Sequence, residues 1–152
     1  MTSGDVDAIY GDIVYVSRQN TDKITRRWIS GQYYRGAFAR GWLAPHATFF
    51  CKKVLYEKYG DYNIKLEIAA DYELMLRYIV KHEIRLGYLK EVLVKMRNGG
   101  KSGVIRGMIK AGRETFDSFR INKLPIPWRL LVYRPITIMK QVLAAKDCGI
   151  SL

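Results

Sequence analysis

The chain of 152 residues has a hydrophobic fraction of 49% and a formal net charge of +12 at pH 7. A chain of this length and composition can bury a sizeable core, which excludes an intrinsically disordered protein. Its two cysteines, Cys51 and Cys148, are too few and too far apart for a disulfide framework or a Cys-x-x-Cys metal motif, and they favour a reducing compartment.

The start of the chain, MTSGDVDAIYGD, is acidic and lacks the apolar region of a secretory signal. No stretch reaches the ~18 uninterrupted apolar residues of a membrane-spanning helix, so we expect a cytoplasmic protein. The positive charge is uneven: residues 1–100 carry 16 basic and 11 acidic side chains, and residues 101–152 carry 10 and 3. A surface of this charge is typical of proteins that face nucleic acid, anionic lipid or phosphorylated substrates, although a merely solvated basic face fits as well.

The first half of the chain alternates strand-like and helix-like patterns. Residues 7–17, rich in β-branched and aromatic side chains, predict a strand. Residues 22–41 contain three glycines and predict an irregular excursion or a short helix. Residues 46–60 predict a short strand followed by a helix that ends at Gly60.

The next predicted helix opens with Asp71, which follows two alanines. Apolar residues come after it at helical spacing, namely Tyr72, Met75, Leu76, Ile79 and Val80. An aspartate at a helix start has an ordinary role, because it accepts hydrogen bonds from free N–H groups and lies at the positive end of the helix dipole. The sequence leaves open whether Asp71 only caps the helix or also takes a proton from a substrate.

Residues 84–97 predict one or two strands, which a glycine-rich turn closes at 98–103. This turn contains Gly100-Lys101-Ser102, as a P-loop would, but the P-loop pattern requires glycine where this chain has Lys95. A nucleotide-binding P-loop is therefore not predicted. The turn can still direct backbone N–H groups at an anion.

The carboxyl-terminal third predicts a basic helix over 104–122 and then a proline-punctuated apolar segment over 124–146, interrupted by Arg129, Arg134 and Lys140. This segment carries too much charge to span a bilayer but suits the membrane interface, with its Trp and Tyr at headgroup level. Packing of the same segment on the domain's own core is the alternative, and the sequence does not decide between them.

Two histidines allow few catalytic arrangements. His46 follows Pro45 and precedes a predicted strand, whereas His82 lies at a polar helix end and receives no role. No Ser/His/Asp or Cys/His set can be assembled from them. The aromatic residues fall at core spacing, so nucleic acid is not an expected partner.

Six blocks in order resemble the second half of bacterial family 2 glycosyltransferases, close to the small enzymes of cell-surface polysaccharide assembly. The blocks are AIYGDIVYVS, KITRRW, GWLAPHATFF, LYEKYGDYN, IAADYELMLR and VLVKMRNGGKS, and they run from about Ala8 to Ser102. The resemblance implies a GT-A fold and inverting transfer of a sugar from a nucleotide-sugar to an acceptor hydroxyl.

The same resemblance implies roles for particular residues. Asp71, in the helix after the turn Gly60-Asp61-Tyr62-Asn63, would be the general base that takes the proton of the acceptor hydroxyl. Ala69 and Ala70 would leave room for a sugar. Substrate-binding residues would be Trp42, His46, Tyr72, Arg97, Gly99, Gly100 and Ser102.

The chain departs from the family in lacking the nucleotide-binding half. That half carries the D-x-D-type motif that holds a divalent metal, Mg or Mn, on the diphosphate. Asp5 and Asp7 spell D-x-D, but no strands precede them to present a metal, so we interpret them as linker residues and predict no metal site here. The resemblance therefore implies the acceptor half of a transferase in a split or truncated form, which another chain could complete.

Together these observations predict an α/β protein with a partial GT-A-like fold, in which a small mixed sheet carries packed helices and a carboxyl-terminal helical extension follows. The expected division is an acceptor-side half over 1–103 and a basic amphipathic helical extension over 104–152. The expected function is sugar transfer to a lipid-linked or polysaccharide acceptor at the inner face of the plasma membrane. The alternative is a non-catalytic basic module that binds membrane or polymer and assists a partner enzyme.

Overall fold

The computed structural model describes residues 6–98 and 105–130, together with residues 132, 133, 136 and 139. The strands are β1 (Ala8–Val16), β2 (Ile24–Trp28), β3 (Phe50–Cys51) and β4 (Leu86–Arg97). The helices are α1 (Lys53–Tyr59), α2 (Ala70–Met75) and α3 (Ile105–Ile121), with a π-helical turn at Leu76–Lys81 and 3-10 turns at Phe38–Arg40 and His46–Thr48. The described positions from 130 onward are also helical. This order confirms the predicted α/β class.

Strand β1 organises a small mixed sheet. It pairs antiparallel with β2, where Ile13 lies opposite Trp28, and antiparallel with β3, where Ala8 lies opposite Cys51. It also pairs with β4. The N–H of Asp7 bonds to Arg85 just before β1 and β4 begin, and the N–H of Asn98 bonds to Val16 where they end, so these two strands are parallel. The prediction of a small mixed sheet is confirmed.

The chain forms two compact units. The first comprises the described parts of Met1–Ile9, Phe50–Gly87 and Gly100–Pro127, and the second those of Tyr10–Phe49, Tyr88–Gly99 and Trp128–Leu152. The boundary predicted at 103/104 lies outside the described residues.

The core of the first unit forms around α2 and the π-helical turn after it. Four residues of the predicted apolar stripe are buried there, with Tyr72, Met75, Leu76 and Ile79 at most 2% exposed, whereas Val80 is of intermediate exposure. Leu74 and Tyr78 are also buried, and Phe119 of α3 contributes to the same core. A helix of six residues is too short to persist in water alone, so its stability comes from this packing.

The second unit has its core on β1, where Tyr10, Ile13, Val14 and Val16 are buried. One prediction for this region was wrong: residues 24–28 form a strand where an irregular excursion or a short helix was expected. The sequence ITRRW has no apolar alternation, and its strand conformation comes from pairing with β1. The guanidinium of Arg26 lies 4.7 Å from the Tyr15 ring and 5.3 Å from the Trp28 ring, which buries the stem of this arginine within the hairpin.

Candidate functional site

Asp71 is the second residue of α2, in the first unit. The N-cap of the helix is Ala69, which makes no side-chain cap bond, so Asp71 is not the capping residue. Its Oδ1 accepts the N–H of Tyr72 at 2.8 Å and thereby satisfies one free amide of the first turn. Its side chain is of intermediate exposure. Asp71 therefore satisfies one amide of the first turn without being the N-cap residue.

The segment before α2 is anchored by Glu114 of α3. Its carboxylate accepts the backbone N–H groups of Glu67, Ile68 and Ala69 at 3.3, 2.8 and 2.9 Å. Burial alone would raise the pKa of Glu114, but these three donors and the nearby Lys110 outweigh burial and lower it. The chain therefore fixes the backbone ahead of Asp71 with a different carboxylate, 43 residues further along the sequence.

A buried ion pair fixes the turn that precedes this segment. Glu73 is 1% exposed and accepts bonds from Arg77 Nε at 3.0 Å and Nη2 at 3.1 Å. The guanidinium of Arg77 also donates to the backbone carbonyls of Tyr59, Gly60 and Asp61. Three hydrogen bonds from Arg77 therefore tie the end of α1 and the start of the predicted Gly60–Asn63 turn to the helical segment that carries Asp71, while its two bonds to Glu73 hold the guanidinium in place.

The Glu73 carboxylate has a further partner in Asn122, which follows α3. Asn122 Nδ2 donates to Glu73 Oε1 at 2.9 Å and to the Ser118 carbonyl at 3.0 Å. The phenol of Tyr78 donates to the Gly60 carbonyl at 2.7 Å, and burial raises the pKa of Tyr78 to about 12. The sequence showed Glu73 and Arg77 only as an ordinary i,i+4 pair of a helix surface. Nothing in their spacing indicated that Glu73 would be buried and Arg77 largely enclosed.

Tyr72, predicted to bind substrate, is 2% exposed, and its ring centroid lies 6.3 Å from that of Phe119. The structure thus places the ring in the core of the first unit. Of the predicted site residues that the structure describes, Asp71 and Tyr72 lie in this unit. A binding role for Tyr72 stays a prediction.

Three other predicted site residues belong to the second unit. Trp42 donates its Nε1–H to the Ser30 carbonyl at 2.7 Å, and its ring packs against those of Tyr10, Tyr33 and Phe38 at centroid distances of 5.5, 5.1 and 5.4 Å. His46 is exposed on a 3-10 turn, and Arg97 is exposed at the end of β4. Gly99, Gly100 and Ser102 lie outside the described residues. Substrate binding by these residues also stays a prediction.

A buried carboxylate that the sequence did not single out supports the Trp42 cluster. Asp12 is 3% exposed and accepts the Ser30 N–H at 2.8 Å and the Tyr88 phenol at 2.9 Å on each oxygen. Tyr10 stacks on Tyr88, donates to the Gly31 carbonyl at 2.8 Å, and has its pKa raised to about 12, mainly by burial. These bonds hold the loop under Trp42, so Asp12 has a structural role.

A metal site is not found in the described part of the chain, where no three His, Cys, Asp or Glu side chains come together. Asp7 of the D-x-D spelling accepts the Arg85 N–H at 2.9 Å, and Lys52 Nζ lies 3.8 Å from its carboxylate. The bond from the Arg85 backbone leads the effects that lower the pKa of Asp7. Asp5 lies outside the described residues.

Among the described residues, no helix has the length and apolar character needed to cross a membrane. No family model matches the chain, and neither the curated proteins nor the solved structures compared with it contain a match.

Proposed function

We propose that this chain is the acceptor-binding half of an inverting glycosyltransferase of family 2, with a GT-A-like fold. It would transfer a sugar from a nucleotide-sugar to a lipid-linked or polysaccharide acceptor of the bacterial cell surface. The observation that carries the proposal is the position of Asp71. Asp71 is not the N-cap, the residue is of intermediate exposure, and the backbone on its amino-terminal side is held by Glu114.

In this mechanism Asp71 takes the proton of the acceptor hydroxyl as that oxygen attacks the anomeric carbon. The bond between the anomeric carbon and the nucleotide diphosphate breaks on the opposite face, which inverts the configuration. A general base within hydrogen-bond reach contributes roughly 10²–10⁴-fold to such a step. In the family a divalent metal supports the leaving diphosphate, but the described residues offer no set of ligands that fits one. No step through a metal is therefore assigned to this chain.

The test measures transfer of labelled sugar in membranes that contain the chain together with a donor-binding half. Asp71→Asn should lower the rate by roughly 10²–10⁴-fold, because the amide cannot take the proton. The matched control is Asp61→Asn, at an exposed position of the same unit, which should leave the rate within about twofold, as surface changes usually do. Full activity of Asp71→Asn, with unchanged thermal unfolding of both variants, would remove the catalytic assignment.

A second function, binding to an anionic membrane without catalysis, is favoured by the segment after Pro127. Exposed apolar side chains recur there at helical spacing, and the Arg129 guanidinium lies 5.7 Å from the Trp128 ring. The exposed set comprises Trp128 (70%), Val132 (55%), Tyr133 (42%), Ile136 (36%) and Met139 (57%). Interfacial segments combine aromatic residues at headgroup level with basic residues on the lipid phosphates. We infer peripheral attachment to the inner face of the plasma membrane through this segment.

Sedimentation with phosphatidylglycerol vesicles at low and high salt tests this attachment. Trp128→Ser should weaken binding by about tenfold, since an aromatic side chain leaves the interface. Ile64→Ser is the control, because Ile64 is 94% exposed but lies in the first unit. Equal binding to neutral vesicles, or an equal loss with Ile64→Ser, would contradict the attachment. Binding of a nucleotide-sugar separates the two functions, because the non-catalytic module should bind none even with partners present.

A further inference from the structure

The second unit contains an open pocket of about 370 Å³ at the connection between β1 and β2. It is lined by Ser17, Arg18, Gln19, Lys23, Thr25 and Asn98. The first four belong to the connection itself, Thr25 lies on β2, and Asn98 directly follows β4. We propose that this pocket binds a phosphate group. The inference does not depend on the glycosyltransferase proposal.

The lining has the chemistry of an anion site. It contains two cations, two hydroxyls and two amides, and no carboxylate. Lys23 forms no ion pair with a carboxylate among the described residues. The side chains of Arg18, Lys23, Ser17, Gln19 and Asn98 carry N–H or O–H donors, and the oxygens of an anionic phosphate are mainly acceptors at neutral pH. The lining therefore complements a phosphate in both charge and hydrogen-bond direction.

Hydrogen bonds within the unit hold the wall of the pocket in place. Arg18 Nε donates to the Asn98 carbonyl at 2.9 Å, which sets the plane of the guanidinium. Asn98 Nδ2 donates to Thr25 Oγ1 at 2.7 Å, and Thr25 Oγ1 donates to the Tyr15 carbonyl at 3.1 Å. The Ser17 N–H bonds to the Lys23 carbonyl at 3.0 Å and closes the connection. These bonds order the wall before a ligand arrives, which reduces the entropy lost on binding.

The size of the pocket indicates that the phosphate is part of a larger molecule. Pockets that bind small molecules usually have volumes of ~300–1,000 Å³, and this one lies at the lower end of that range. The candidates are a pyrophosphate, a phosphorylated sugar or the phosphate of a lipid headgroup. They share one chemistry, so the soluble and lipid sources must be separated by experiment.

The probes are pyrophosphate, titrated into the full chain by calorimetry, and sulfate as an anion of different charge and shape. Saturable binding of pyrophosphate is expected, with sulfate weaker. Lys23→Gln should weaken pyrophosphate binding by about tenfold, because a hydrogen bond between two charged groups is lost. Arg18→Gln should also weaken it by about tenfold, since a positive charge in the lining is lost. Lys65→Gln is the charge-matched control, because Lys65 is exposed in the first unit and lines no part of the pocket.

Vesicle binding by the same variants distinguishes a lipid headgroup from a soluble phosphate compound as the ligand. If Lys23→Gln weakens binding to phosphatidylglycerol vesicles more than Lys65→Gln does, the lipid headgroup occupies the pocket. If only pyrophosphate binding falls, the ligand is soluble. Thermal unfolding of each variant verifies that the hairpin is intact. Absence of saturable pyrophosphate binding, or an equal loss with Lys65→Gln, would overturn the proposal, because the affinity would then reflect only the net positive charge.

Discussion

Replacing Glu73 by alanine should strongly destabilise the first unit. The side chains of Glu73 and Arg77 are 2% and 13% exposed, so removing the carboxylate leaves a largely buried guanidinium without its counter-ion. Breaking a buried pair in this way typically costs about 3–5 kcal/mol. Arg77 retains the carbonyls of Tyr59, Gly60 and Asp61, and Asn122 retains that of Ser118. The free energy of unfolding should therefore fall by about 3 kcal/mol, the lower end of that range.

Urea unfolding followed by circular dichroism measures this loss. With a slope of about 1.5–2 kcal/mol per molar urea, the midpoint of Glu73→Ala should fall by roughly 1.5–2 M. The control is Glu57→Ala, which removes one member of an exposed i,i+4 pair with Lys53 whose side chains are 62% and 91% exposed. It should change stability by no more than about 0.5 kcal/mol. A loss below about 1 kcal/mol for Glu73→Ala would refute the reasoning, because an exposed or unpaired carboxylate behaves in that way.

Three further predictions concern the surroundings of Asp71 and the tyrosines. The pKa of Glu114 is lowered in the folded state, so its contribution should be present above its ordinary value of 4.5 and lost as the pH falls through the folded value. The difference in unfolding midpoint between wild type and Glu114→Gln should shrink over that window. Gly60→Ala should cost about 1–3 kcal/mol, because φ of +87° with ψ of 161° suits only glycine. Gly112→Ala, with open space at its Cβ in α3, should stabilise by up to about 1 kcal/mol; equal effects in denaturant unfolding would contradict the assignment. Burial raises the pKa of Tyr10 and Tyr78 to about 12, so stability should fall as the pH rises from the ordinary value of 10.0 through about 12. Replacing either tyrosine by phenylalanine should flatten that fall in an alkaline unfolding series, and an unchanged slope would argue against burial of the phenol.

The elements that could be predicted from the sequence are those whose residue pattern lies within the element itself. Strand β1 is a run of β-branched and aromatic residues, and the helix after Asp71 has its apolar residues at helical spacing, so both were predicted correctly. The end of α1 at Gly60 was predicted from local sequence as well, because glycine readily adopts the positive φ found there. Its N–H bonds to the Tyr56 carbonyl. Strand β2 could not be found in this way. Its central residues Arg26 and Arg27 have no strand signal of their own, and they are held by the register with Tyr15 and Val14 of β1.

The buried carboxylates were not predictable for a different reason. Asp12, Glu73 and Glu114 look in the sequence like charges of a solvated surface. The donors to Asp12 and Glu114 lie far along the chain, and Glu73 with Arg77 looks like an exposed i,i+4 pair. Asp12 receives its phenol donor from Tyr88, and Glu114 receives its N–H donors from Glu67, Ile68 and Ala69. Burial of a carboxylate is favourable only where such donors meet it, and the fold alone brings them together. A single sequence does not indicate which distant donors will contact these carboxylates.

The placement of these groups bears on the proposed role of Asp71. A structural helix of six residues can be stabilised by apolar packing alone, and a buried ion pair often adds no more stability than apolar residues of the same volume. Even so, this chain fixes the backbone on the amino-terminal side of Asp71 twice, through Arg77 on the carbonyls of the preceding turn and through Glu114 on the amides next to the helix. Both sets of bonds are directional, so they determine where the carboxylate lies as well as whether the helix forms. A general base must be held in place to within a fraction of an ångström, whereas a residue that only satisfies one amide of its own turn has no such requirement. The two networks hold the backbone next to Asp71 in place, as the proposed role of Asp71 as a general base would require.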